Sequence, residues 1–209
     1  MRDSRLSEFV FGLAATGCAV SLLLANVSRD RLVAAPARLP SGPTAPLAAE
    51  RIAIAPAQLR SAVSAGSVYR PIKSLLNVRS PMTYGAFVWN DKGVQPGPVW
   101  IRIDLKAQIL SVFRSGDEIG TAVILYGTDG LPTPTGKFSI LAKLKDHRSA
   151  TYDNAPMPFS LRLTADGVAI HGSNVRWGFA THGCVGVPPA FAAKLFDAVS
   201  VGDPVLIVS

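Results

Sequence analysis

The sequence predicts a mostly-β domain, a sandwich or barrel-like fold with one short helix close to its C-terminal end. From Val99 onward, short runs that alternate apolar and polar residues are separated by glycine and proline, which is typical of strands and turns. Only Pro188–Val199 has convincing helical spacing, with proline at its start and its large apolar residues on one face. Many short strands with a single helix indicate packed sheets rather than a helical bundle.

The predicted strands follow one another closely along the chain. Val99–Leu105 and Gln108–Arg114 flank a turn at Lys106-Ala107, and this arrangement predicts a hairpin. The other predicted strands are Glu118–Tyr126, Gly136–Leu144, Phe159–Thr164, Val168–His171 and Pro204–Val208.

An uncharged apolar run, Phe9–Val27, lies near the N-terminus of the 209-residue sequence. It is long enough for a bilayer core, follows Arg2 and Arg5, and lacks the polar face of a buried globular helix. We therefore predict that residues 1–27 are a signal-anchor or a signal peptide, which places the domain in the cell envelope. Lipidation at Cys18 is a third fate, although the apolar run continues for nine residues past that cysteine.

The next two stretches differ sharply in composition. Residues 28–68 contain five prolines, many alanines and no aromatic residue, so they bury too little apolar surface to offset chain entropy. They are predicted to form a flexible linker, with a short helix over Pro56–Ala65 left open. Aromatic residues return in a lead-in segment, residues 69–98, and residues 99–209 are predicted to form the functional domain.

The overall charge and the cysteines restrict the function. The net charge is +7, but the basic residues are scattered, without a run or an aromatic-plus-basic stripe, and this disfavours a nucleic-acid partner. An anionic polymer such as a cell wall, or a lipid surface, accounts for the charge equally well. Of the two cysteines, Cys18 lies in the apolar leader, so Cys184 is predicted to be the single thiol of the domain, either buried or kept for chemistry.

His171 and Cys184 are the candidate reactive pair. His171 ends an apolar strand, and Cys184 follows thirteen positions later, directly after Thr181-His182-Gly183. A nearby imidazole can take the proton of a thiol near neutral pH, and small neighbours leave backbone N–H groups open to a substrate oxygen. Spacing alone also allows a metal site from His171, His182 and Cys184, but no second cysteine or nearby carboxylate completes it.

Two motifs together identify a family resemblance. His171-Gly172 followed by Thr181–Cys184 (THGC), and Thr133–Phe138 (TPTGKF) upstream, resemble the L,D-transpeptidase catalytic domain (YkuD-type) family. That family has a histidine-glycine pair before Ser/Thr-His-Gly-Cys, and a T-P-x-G-x-F turn and strand. The resemblance covers about Val99–Ser209. It implies a β-sandwich-like fold whose cysteine and histidine face one cleft, and we expect no cofactor and no metal.

The resemblance also implies a reaction, namely acyl transfer on peptidoglycan in the bacterial periplasm. Cys184 is expected to attack the third residue of a stem peptide, releasing the terminal D-alanine and leaving a thioester. A second stem's amine then resolves it to a 3→3 crosslink. His171 takes the thiol proton and the carbonyl of Gly172 orients the imidazole. The N–H groups of His182, Gly183 and Cys184 are expected to form the oxyanion hole.

One position departs from the family's pattern. The family usually has arginine two residues after the cysteine, whereas this sequence has Gly186, which we expect to open space beside Cys184. Arg176 either supplies the missing charge or is a solvated loop residue. His147 is either a second catalytic histidine or a surface residue. The predicted substrate-binding residues are Tyr152, Arg176, Trp177 and Thr181.

Three other interpretations of the function are left open. An L,D-carboxypeptidase or amide hydrolase of the cell wall would resolve the same thioester with water. A non-catalytic wall-binding module is disfavoured because Cys184 and His171 are both intact. A structural metal-binding protein would contain stoichiometric zinc when purified.

Overall fold

The computed structural model describes residues 51–64 and 70–209. The predicted leader, residues 1–27, and the predicted linker as far as residue 50 lie outside the described residues. Within the described ranges, no helix is long and apolar enough to cross a membrane. The elements of these ranges form two β-sheets and two helices.

The elements are numbered in chain order. The strands are β1 (Arg51–Ala53), β2 (Ser74–Leu76), β3 (Phe87–Trp89), β4 (Val99–Asp104), β5 (Ile109–Arg114), β6 (Asp117–Val123), β7 (Gly136–Ser139), β8 (Ala142–Arg148), β9 (Pro156–Arg162), β10 (Ala169–Gly172), β11 (Val185–Val187) and β12 (Pro204–Val208). The helices are α1 (Pro56–Ser64) and α2 (Pro189–Ala198).

The larger sheet has eight strands in the order β1-β2-β6-β5-β4-β12-β7, and β3 also pairs with β6. The predicted hairpin is present as the antiparallel pair β4 and β5. The last strand, β12, lies inside this sheet, parallel to β4 on one side and antiparallel to β7 on the other. The smaller sheet has the order β11-β10-β9-β8.

The main core lies between the two sheets and α2. Ile101 and Leu110 from the larger sheet and Ile170 from the smaller one are fully buried there, together with Phe191 of α2. Successive side chains of a strand point to opposite faces of its sheet. The strand neighbours of Ile101 and Leu110 therefore point to the opposite face of the larger sheet. The mostly-β fold with one helix after Cys184 is therefore confirmed.

Two predicted strands have different limits in the structure. Gly136–Leu144 was predicted as one strand, but it forms β7 and the start of β8, which belong to different sheets. No glycine or proline marks this change of sheet, so the pattern could not show it. Strand β9 begins at Pro156 rather than Phe159. It pairs with β10 only through Leu161 and Arg162. Its prolines therefore lie where no backbone N–H is needed to bond to β10.

The prediction of a linker as far as Val68 was wrong for Arg51–Ser64, which forms β1 and α1. Strand β1 pairs with β2, and Ile54 and Leu59 pack on a small cluster that includes Trp100 and Phe113. These apolar contacts stabilise a segment whose composition alone indicated no core. The helix left open over Pro56–Ala65 is present as α1.

Candidate active site

His171 lies on β10, in the smaller sheet, and is 8% exposed. Its Nδ1 is 3.0 Å from the carbonyl oxygen of Gly172, the contact that the family resemblance implied. With the proton on Nδ1, this atom donates to the carbonyl and Nε2 is left to accept a proton. Burial lowers the pKa of His171 below its ordinary value. The hydrogen bond to Gly172 raises this pKa in part, and the charge of His147 lowers it further. The imidazole is therefore neutral near neutral pH.

Cys184 immediately precedes β11, which runs parallel to β10 and pairs Gly186 with His171. Its Sγ is half-buried and lies 3.8 Å from the carbonyl oxygen of Gly167. Burial raises the pKa of the Cys184 thiol, opposed by a backbone hydrogen bond from Ala169 and assisted by the charge of Asp166. The resting cysteine is thus a neutral thiol that needs a base.

The strand pairing places Cys184 two residues before Gly186, the pairing partner of His171 in the smaller sheet. No hydrogen bond joins the thiol to the imidazole in the described part of the chain, because Sγ points toward Gly167. Catalytic hydrogen bonds are often long or poorly aligned before substrate binds, so this geometry is compatible with a thiol and its base. Both groups are neutral, which is the starting state that proton transfer from one to the other requires.

Three backbone donors surround the cysteine. Within the described residues, the N–H groups of His182, Gly183 and Cys184 donate no hydrogen bond to any backbone or side-chain acceptor. Gly183 has a φ of +102°, a conformation that favours glycine and that turns the backbone sharply before Cys184. Free N–H groups beside a nucleophile are the arrangement that stabilises an oxyanion.

Threonines hold this loop, and one of them was missed from the sequence. The Thr181 hydroxyl donates to the carbonyl of Cys184, and the Thr181 N–H donates to Tyr126. Thr133, only 5% exposed, also reaches the Cys184 carbonyl, at 3.5 Å, and accepts from the Gly127 N–H. The contacts of Thr181 position the cysteine, and its predicted role in binding substrate stays a prediction. Thr133 belongs to the TPTGKF motif, which is the signal that could have identified it.

Gly127 allows this loop to pack closely. A Cβ at Gly127 would lie 2.1 Å from the carbonyl oxygen of Leu131, 2.8 Å from the nitrogen of Thr133 and 2.9 Å from that of Gly183. Real Cβ atoms do not approach this closely, so only glycine fits without moving backbone. The turn before Thr133 and the segment before Cys184 therefore meet at a single glycine.

A cavity of about 450 Å³ opens beside the thiol. Cys184, Gly183 and His182 form one wall, and the loop from Ser149 to Tyr152 forms another. The ring of Tyr152 stacks on that of His182, with centroids 4.2 Å apart and an interplanar angle of 14°. Tyr152 and His147 both line this cavity, and the role of Tyr152 in binding substrate stays a prediction.

Two predicted substrate-binding residues lie elsewhere. Arg176 is exposed, its Nε donates to Asn174, and Trp177 is 80% exposed; neither is among the described residues that line the cavity. The expectation that Gly186 opens space was wrong, since a Cβ there would lie 2.8 Å from that of Ser173. Among the described residues, no three His, Cys, Asp or Glu side chains form a group that could hold a metal ion.

Comparison with known proteins decides the family. The family model of the L,D-transpeptidase catalytic domain (YkuD) matches residues 98–207, which is more than half of the chain. The chain belongs to this family. The predicted family is therefore confirmed. The match to the family model begins one residue before β4.

Curated and solved L,D-transpeptidases resemble a little more than half of the chain. L,D-transpeptidase 1 of Mycobacterium tuberculosis is 29% identical over 139 residues, covering 56% of this chain and 53% of the relative. The chain thus spans about half the length of the curated relatives it matches. A solved L,D-transpeptidase from Stackebrandtia nassauensis is 25% identical with a TM-score of 0.50, covering 55% of this chain and 58% of that one. Another, from Mycobacterium tuberculosis H37Rv, is 21% identical with a TM-score of 0.50, covering 53% and 57%, and supports the fold alone.

Proposed function

We propose that this protein is a peptidoglycan L,D-transpeptidase with Cys184 as nucleophile and His171 as its base. The observation that carries the proposal is a neutral thiol that lines a cavity next to three backbone N–H groups, none of which has an acceptor among the described residues. A neutral imidazole on the neighbouring strand supplies the base. Membership of the L,D-transpeptidase family supports the substrate class.

The first half of the reaction forms a thioester. His171 Nε2 takes the thiol proton as Sγ attacks the carbonyl carbon of the third stem residue, and the carbonyl π electrons move to oxygen. The N–H groups of His182, Gly183 and Cys184 stabilise that oxyanion. When the tetrahedral intermediate collapses, the bond to D-alanine breaks, and the imidazolium returns its proton to the leaving amine.

The second half transfers the acyl group. The side-chain amine of a second stem attacks the thioester carbonyl while His171 takes the amine proton. The bond from carbon to Sγ then breaks, and the leaving thiolate takes this proton from the imidazolium, which regenerates Cys184 and His171. Attack by water gives a free carboxylate instead, the outcome of an L,D-carboxypeptidase. The two products differ in mass, so one measurement distinguishes them.

The location of the reaction is part of the proposal. An apolar run, Phe9–Val27, that follows Arg2 and Arg5 supports export to the bacterial periplasm or anchoring in the membrane. The net charge of +7 supports attraction to an anionic wall polymer. Fractionation of cells that produce either the full chain or residues 28–209 tests this location. Recovery of the full chain in the cytoplasmic fraction would contradict it.

Intact-mass spectrometry of the purified full chain, incubated with a tetrapeptide stem, tests the reaction. We expect an adduct on Cys184 equal to the stem minus D-alanine, and a crosslinked product when a second stem is present. The matched control is Cys184→Ala, which removes only a half-buried sulfur and should leave the fold intact. An adduct of equal yield on the variant, or none on the native protein, would refute the assignment.

A further inference from the structure

A second cavity lies on the opposite face of the larger sheet from the main core. Its volume is about 280 Å³, and its walls come from β1 and the start of α1, from β2 and the chain after it, and from β5 and β6. Most of the lining is aliphatic, and it includes Ile52, Ile54, Leu75, Met82 and Ile109. None of the residues that line this cavity also lines the one beside Cys184.

Among the described residues that line this cavity, Glu118 is the only charged one. It is 5% exposed, its Oε2 accepts from the Leu76 N–H at 2.8 Å, and its carboxyl is hydrogen-bonded by Ser111. Buried carboxylates in proteins are normally paired with a cation. Across the described residues, no ion pair to Glu118 is formed.

The two arginines near Glu118 are engaged by other groups. The Arg51 guanidinium on β1 donates to the backbone carbonyls of Glu118 and Asn90. The Arg102 guanidinium on β4 pairs with Asp104 at 3.0 Å. Their charges lower the pKa of Glu118, but burial outweighs them and raises it to about 7. Among the described residues, the Glu118 carboxyl therefore has no salt-bridge partner.

We infer that this cavity binds a small amphiphilic amine, with its ammonium group on the Glu118 carboxylate and its alkyl part against the aliphatic wall. The charge complementarity identifies the polar end, since an ammonium would provide the missing counter-ion. The volume sets the size, because at about 30 Å³ per liquid-like group it holds on the order of ten non-hydrogen atoms. The site is independent of the chemistry proposed for Cys184.

Three six-carbon probes with different head groups test this site in the full-length chain: hexan-1-amine, hexan-1-ol and hexanoate. Carbon-13 methyl resonances of Ile52, Ile54 and Ile109 report binding, and that of Ile101, in the main core, is the internal control. At pH 8 we expect hexan-1-amine to shift the three cavity resonances saturably. Its affinity should be at least tenfold higher than that of hexan-1-ol, roughly one pKa unit of interaction, and hexanoate should bind most weakly. Equal affinity for the amine and the alcohol, or no saturable shift, would overturn the inference.

The pH dependence of the affinity for hexan-1-amine can be measured on the native protein alone. Alkyl amines stay protonated between pH 5 and 8, whereas Glu118 ionises across this range. We expect the affinity for hexan-1-amine to rise about tenfold from pH 5 to pH 8 and that for hexan-1-ol to stay flat. A flat profile for the amine would show that Glu118 does not bind it.

Glu118→Gln is the matched variant, since the amide oxygen can still accept from the Leu76 N–H while the charge is removed. We expect it to lose about tenfold in amine affinity at pH 8 and to bind hexan-1-ol as the native protein does. Unchanged amine affinity in the folded variant would contradict the inference. An unchanged rate of acylation at Cys184 in the same variant is expected, because the two cavities share no lining residue.

Discussion

At the residue scale, burial determines the protonation of both reactive groups. It lowers the pKa of His171 and raises that of Cys184, so the resting pair is a neutral imidazole and a neutral thiol rather than a preformed ion pair. The residues of this pair were predictable because the His171-Gly172 and Thr181–Cys184 motif contains them. Their burial was not, because it depends on strands that are far apart in the sequence.

The rate of acylation should depend on pH through His171. An imidazolium cannot accept the thiol proton, so activity is lost as pH falls through the pKa of His171. Because that pKa is lowered, the acid limb should lie below pH 6.5, the ordinary histidine value. Single-turnover acylation followed by mass spectrometry between pH 4.5 and 8 measures this limb. A midpoint above 6.5 would mean that another group controls the step.

Gly127→Ala should damage the site without touching substrate. Its Cβ would meet the backbone of Leu131, Thr133 and Gly183, so the loop that carries Cys184 must move. We expect acylation to slow at least about tenfold, since small misplacements of reacting groups have large effects on rate. Gly130→Ala is the control, because nothing lies within 4 Å of its Cβ. If both variants react like the native protein, close packing at Gly127 does not position Cys184.

Gly186→Arg tests the departure from the family's pattern. The new Cβ would lie 2.8 Å from the Cβ of Ser173 and 3.2 Å from its Oγ, so the variant should lose about 1–3 kcal/mol of unfolding free energy. Adding Ser173→Gly removes both atoms and should recover most of that loss. Chemical denaturation measures the two variants. An equal loss in the single and double variants would locate the clash elsewhere.

At the scale of elements, the strands from β4 to β6 were predicted to within a few residues because each alternates clearly and ends at a turn. Strand β11 was missed, since Val185–Val187 is too short for a period to appear. Strand β1 and helix α1 were assigned to a linker because their segment is poor in large apolar residues. Their stability comes from the outer face of the larger sheet, a surface that no local pattern reveals.

Leu59→Ala should show that α1 belongs to the folded domain. Leu59 packs on the cluster that includes Trp100 and Phe113, so truncation should lower the free energy of unfolding by about 1–2 kcal/mol. Arg60→Ala, on the exposed face of the same helix, should change it by less than about 0.5 kcal/mol. Urea denaturation of both variants provides the comparison. Equal effects would mean that α1 does not pack on the sheet in solution.

At the scale of the whole molecule, Glu118 should make global stability depend on pH. A carboxyl whose pKa is raised from 4.5 to about 7 binds its proton more tightly in the folded state. Its stabilising contribution is therefore present below pH 4.5 and lost as pH rises to about 7, by up to about 3 kcal/mol. Denaturation of the native protein and Glu118→Gln at pH 5 and 8 measures this. The free energy of unfolding of the variant, relative to that of the native protein, should be higher at pH 8 than at pH 5. If this difference does not change with pH, the buried carboxyl does not control stability.

The position of β12 has a consequence for biogenesis. This last described strand lies between β4 and β7 in the larger sheet. Neither neighbour can pair with it until the ribosome has made residues about 100 positions after the start of β4. Synthesis at about 5–20 residues per second leaves the sheet open for several seconds, and pairing between strands so distant in sequence is intrinsically slow. For the export that we propose, this delay keeps the nascent chain unfolded, which is the state in which a polypeptide can be threaded through a narrow translocation pore.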